Sequence, residues 1–244
     1  MNHEFFAAGA VGIGPAFLFL FYALRRYEYP YVKEGLFRND RLFLSLAVGM
    51  VVGTASAVLF NAFRVAGTLA ALSVLLATAL FEESFKVAYL NFRLFRGRFD
   101  AVFYGPALGL GTAATFTMAF AFQTFTAPVD PFSVVNVLVL VTLGVALSAL
   151  HFFTGTVLGA GAAEGAPWWS LLQALGARAV FALLLAPFLA PFQVANPAVL
   201  VVVLLASAAF ALLLFREAHV HRIPDSLPAD VRRQLRRTPA REGG

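Results

Sequence analysis

The chain has 244 residues, of which 60% are hydrophobic and 13% charged, with a formal net charge of +5. It holds no cysteine, which excludes thiol nucleophiles, thiolate metal sites and disulfides. The basic residues lie between apolar runs and at the C-terminus, as membrane flanks do, so the positive charge is no signal for nucleic acid.

The apolar runs are longer than a soluble core helix needs, and none shows the short alternating segments of a barrel. The expected fold is all-α: a polytopic membrane helix bundle of about seven transmembrane helices over residues 1–215, followed by a basic tail at 216–244. The first helix runs from Phe5 to Leu24 and is closed by Arg25 and Arg26. It lacks the basic start and small-residue cleavage site of a signal peptide, so it reads as a retained helix, kinked at Pro15. A polar loop from Tyr27 to Arg41 carries Lys33, Arg38 and Arg41. The second helix covers Leu42 to Phe63. Its Ser45, Gly49, Gly53 and Ala57 recur every four residues, a stripe for close helix contact.

The third helix ends in Phe92 and contains Glu82, Glu83 and Lys86. Charges at membrane depth are costly unless they are paired or face a wet cavity, so they mark a candidate functional site. The plainer reading is an intrahelical ion pair between Glu82 and Lys86, which are spaced i, i+4. That reading leaves Glu83 unexplained, since it points about 100° away around the helix. Arg93, Arg96 and Arg98 follow, and Asp100 opens a fourth helix that ends near Phe125. A turn at Pro128–Pro131 leads to the fifth helix, Phe132 to Leu158, which contains His151. Residues 159–167 read as a small-residue loop. Trp168 and Trp169 anchor a sixth helix at the membrane interface, and it continues to Leu189. Pro187, Pro191 and Pro197 punctuate the passage to a seventh helix, Ala198 to Phe215. The tail is Arg- and Pro-rich, with one amphipathic turn at Ala229 to Arg237.

Lys and Arg concentrate after helices one, three and seven, whereas Arg64 is the exception in the loops after helices two, four and six. The positive-inside rule then places the N-terminus outside and the C-terminus in the cytoplasm. At ~1.5 Å per residue, Glu82/Glu83, His151 and Arg178 fall at one depth on three different helices. Carboxylates and an imidazole are what general acid–base chemistry needs. A glutamate could activate water directly, or Glu83 and His151 could ligate a divalent metal such as zinc that does so. Each group also has a structural reading. His151 could bond a neighbouring helix, Arg178 could neutralise the glutamates, and Thr154 could bond back to its own helix.

Glu82-Glu83-Ser84-Phe85-Lys86 fits an EExxK signature, and in this order of segments it resembles the PrsW family of intramembrane proteases, of a superfamily with the CAAX prenyl proteases. Asp100, Tyr104-Gly105 and Gly109-Leu110-Gly111 resemble that family's D-x-x-x-YG-x-x-x-GLG segment. His151 and Thr154 resemble its H-x-x-T motif, and Pro15, Tyr22, Arg25 and Arg26 are also similar. The likeness covers residues 10–190. It implies a metalloprotease-like hydrolase of the bacterial cell membrane that performs intramembrane proteolysis on membrane-anchored proteins, such as anti-sigma factors in relatives. Glu82, Glu83 and His151 would be catalytic, with Lys86, Thr154, Arg178, Tyr104 and Gly105 in support. The chain departs from the pattern after GLG, where Thr112, Phe116 and Thr117 stand and the family's second-motif glutamate is absent. Either chemistry runs on the remaining groups, or the chain is an inactive scaffold or regulator that binds membrane proteins. A proton-relaying transporter ranks third, because no inverted repeat is evident.

Overall fold

The structure is a computed structural model, which describes residues 3–28, 35–63, 68–128, 130–189 and 197–237. Lys33, Arg64 and Pro191 lie outside these residues. Among the described residues every regular element is helical: α1 (His3–Leu24), α2 (Asn39–Ala62), α3 (Thr68–Leu90), α4 (Ala101–Phe125), α5 (Val134–Glu164), α6 (Pro167–Leu189) and α7 (Pro197–Glu217). A π turn (Ala218–Arg222), α8 (Ile223–Asp225) and α9 (Ala229–Arg237) complete the described residues. Six of the described helices are long and apolar enough to cross a membrane, which makes this an integral membrane protein. The third helix of the expected seven, α3, is not one of these six and carries Glu82, Glu83 and Lys86 within its length.

The bundle is organised around α4, which packs on α1, α2 and α5. Every residue from Ala101 to Ala114 is buried. A helix hidden on all sides needs neighbours whose backbones come close, and glycines at the contacts allow that. A Cβ on Gly49 of α2 would strike the Leu108 carbonyl of α4, and one on Gly53 would strike that of Thr112. The Ser45–Ala57 stripe therefore faces α4. On the other side of α4, Gly105 meets Gly155 and Gly109 meets the His151 carbonyl, both on α5. In turn, α5 packs on α6 and α7, and α3 packs chiefly on α6.

The end of α5 differs from expectation. Residues 159–164 continue α5 instead of forming a loop, and the chain breaks only at Gly165, which has a φ of 75°. The small residues there serve contact: Gly159 lies against Ala101 of α4, and Gly161 against the Ser170 side chain of α6. Pro15 is accommodated within the continuous helix α1. Trp168 and Trp169 are exposed at the start of α6, as an interfacial anchor requires.

Candidate active site

Three helices bring the charged groups of the interior together. Glu82, Glu83 and Lys86 come from α3, His151 and Thr154 from α5, and Arg178 from α6. Glu82, Glu83, His151 and Arg178, expected at one level, form one cluster. Its members are sealed, with Glu82 1% exposed and Glu83, Lys86 and His151 0%.

The pairing differs from the spacing argument. Lys86 Nζ donates to Glu83 Oε1 at 2.7 Å, an i, i+3 pair, whereas the expected partner Glu82 is bound by Arg178 Nη2 at 2.6 Å. The reason is rotational. The helix turns Glu82 toward α6, where Arg178 waits, and Glu83 toward α5. Thr154 Oγ1 donates to Glu83 Oε1 at 3.2 Å and has a longer contact of 3.4 Å to its own helix at the His151 carbonyl.

His151 lies between two cationic side chains. Arg178 Nη1 is 2.8 Å from its Nε2, and Lys86 Nζ is 3.1 Å from its Nδ1. A neutral imidazole offers one ring lone pair, and arginine cannot release a proton, so Nε2 is the acceptor. Lys86 Nζ donates to Glu83 Oε1 and, at 3.3 Å, to Thr154 Oγ1, and it abuts the Nδ1 edge of the ring. Two carboxylates against Lys86 and Arg178 give zero, the condition under which ionisable groups are tolerated in an apolar interior.

Among the described residues, two oxygens of the cluster find no partner: Glu82 Oε1 and Glu83 Oε2 are buried and accept no hydrogen bond there. An unsatisfied buried carboxylate oxygen is costly, and it marks where a water, ion or substrate group would be welcome. Arg178 alone of the cluster lines a neighbouring cavity of about 40 Å³, walled by Thr78, Phe116, Phe120, Leu147 and Phe181 among others. That volume has room for a water molecule. Phe116, where the resemblance implies a glutamate, is part of an apolar wall beside the cluster. Sequence reading had no signal for this cavity, because its walls are ordinary apolar side chains from several helices.

No protein-family model, curated protein or solved structure matches this chain.

Tyr104 and Gly105 are not at the cluster. Tyr104 donates to Asp100 Oδ2 at 3.1 Å and accepts from the Arg38 backbone at 3.0 Å, in a network at the start of α4. Arg98 holds Asp100 there through two hydrogen bonds of 3.0 and 3.1 Å, and Arg41 approaches to 3.9 Å. Gly105 serves the α4–α5 contact. Tyr22 stacks with Arg25, and its ring faces His219, also away from the cluster.

Glu82, Glu83 and His151 each offer a ligand atom, all within 4.8 Å of one another, so this group could hold a metal ion. By donor type, and by the two orphaned oxygens, the set suits a divalent ion. By occupancy it does not: both imidazole nitrogens are engaged by Arg178 and Lys86, and the Glu82 oxygen nearest the ring is taken by Arg178.

Proposed function

We propose that this chain is an intramembrane endopeptidase that hydrolyses membrane-anchored protein substrates. The observation that carries the reading is the pair of orphaned oxygens, Glu82 Oε1 and Glu83 Oε2, in a buried cluster where the partner oxygen of each carboxylate is held by a cation. A carboxylate held this way accepts a proton from a water placed against it, and low local dielectric strengthens the interaction. Glu82 or Glu83 would activate the water. His151 and Lys86 would hold the protons that move, and Thr154 would fix Glu83. Arg178, the cluster member that reaches the cavity, would meet the substrate carbonyl and the charge that develops on it.

The EExxK, YG and H-x-x-T motifs support the same reading and suggest substrates of the anti-sigma-factor kind in a bacterial membrane. Zinc, the ion suited to such nitrogen and oxygen donors, would first have to displace Arg178. The flanking charges support an outside N-terminus and a cytoplasmic C-terminus.

A second reading is a non-catalytic scaffold or regulator that binds membrane proteins. The sealed, self-neutral cluster and the phenylalanine at position 116 favour it. The test compares new peptide termini in membrane proteins from cells expressing wild type or Glu82→Gln/Glu83→Gln at equal abundance. Termini found only with wild type support the protease and name its substrate. Identical termini, with partners still co-purifying, move the assignment to the scaffold.

A further inference from the structure

The position of Arg178 within the cluster carries a consequence of its own. The three groups that would ligate a metal are Glu82, Glu83 and His151. The Arg178 guanidinium touches or approaches all three. Nη2 is 2.6 Å from Glu82 Oε2, Nη1 is 2.8 Å from His151 Nε2, and Nε is 3.8 Å from Glu83 Oε1. Its planar fork spreads positive charge over the region where a bound ion would sit.

We propose that the Arg178 side chain takes the place of a divalent cation in this site, so that the cluster carries its own fixed cation and excludes metal. Charge gives the first reason. The two carboxylates are already balanced by Lys86 and Arg178, and a divalent ion added to them would leave two uncompensated positive charges in an interior that is 0–1% exposed at Glu82, Glu83, Lys86 and His151. The ligand atoms give the second. A metal needs the imidazole lone pair, and Arg178 holds Nε2 while Lys86 covers Nδ1. The third is the chemistry of arginine. A lysine here could give up its proton to make way for an ion, but a guanidinium stays charged and has no lone pair to add as a ligand.

The role this assigns to Arg178 is the electrostatic part of what a metal does at such a site. It fixes Glu82, orients the imidazole and presents positive charge to the adjoining cavity. It does not generate hydroxide from a bound water. The inference concerns occupancy and stands whether or not the chain cleaves peptides.

The test is Co²⁺ binding by purified full-length protein in detergent, followed by visible absorption, which reports nitrogen and oxygen ligation directly. Wild type is expected to show no ligand-field spectrum. Arg178→Ala is expected to take up about one Co²⁺ per chain and to lose it when His151→Phe is added. Should Arg178→Ala fold poorly, Co²⁺ is expected to raise its unfolding temperature while leaving that of wild type unchanged. The proposal is overturned if wild type binds Co²⁺ with a spectrum that His151→Phe abolishes. It is equally overturned if Arg178→Ala shows neither a Co²⁺ spectrum nor Co²⁺-dependent stabilisation. None of these outcomes depends on proteolysis.

Discussion

Two carboxylate–arginine networks in this protein use the same chemistry in different surroundings. At the start of α4, Asp100 is held by Arg98, whose side chain is 49% exposed. In the interior, Glu82 is held by Arg178, whose side chain is 10% exposed. In the outer pair the Asp100 carboxylate is buried but Arg98 shares its charge with water, so that cation can engage or loosen at little cost. The inner pair cannot, because each of its charges was stripped of water on folding and must find its balance within the protein. The outer network fastens a helix start. The inner one fixes how three helices meet.

The sharpest way to break this contrast is to remove one interior charge. Lys86→Met leaves Glu83 buried without its cation, and a loss of about 3–5 kcal/mol is expected in denaturant unfolding in detergent. Adding Glu83→Gln should recover much of that loss, since the stranded charge goes with it. A milder break comes through packing. Gly109→Ala places a methyl against the His151 carbonyl and should cost about 1–3 kcal/mol by the same measurement, with little change for Gly9→Ala, whose surroundings are open. The smallest effect is expected at the outer network. Arg98→Gln should cost about 1 kcal/mol or less, because this side chain is half exposed and Tyr104 and Arg41 still face the buried Asp100, and added salt should shrink that difference while leaving the Lys86→Met loss in place. An Arg98→Gln loss as large and salt-insensitive as that of Lys86→Met would erase the distinction between the two regions.

Much of the bundle could be read from the chain, because long apolar runs bounded by arginines mark out helices. The meeting of Glu82, Glu83, His151 and Arg178 was expected from the depth that their distances from the helix ends imply. What depth could not give was rotation. Spacing along α3 favoured Glu82 for Lys86, yet the side of α3 that faces α6 is decided by packing, and it delivers Glu82 to Arg178 and Glu83 to Lys86. The small residues at 159–164 were ambiguous for a related reason. Glycine and alanine suit both a loop and a close helix contact, and only the partners on α4 and α6 decide between them. Tyr104 was placed with the site because it adjoins Gly105 in the motif, but its hydroxyl reaches back one turn to Asp100.

The enclosed character of α4 bears on how this protein is made. It is the least hydropathic of the six apolar spans and the most thoroughly covered by the rest of the chain. Lipid therefore offers α4 less than it offers its companions, and the partition of a segment leaving the ribosome depends on that offer. Because α1 and α2 precede it, they would already be in the bilayer to receive it, and α5 follows to close the other side. Expressed alone behind a reporter, α4 should insert poorly, and it should insert well when the segment carrying Gly49 and Gly53 is synthesised ahead of it.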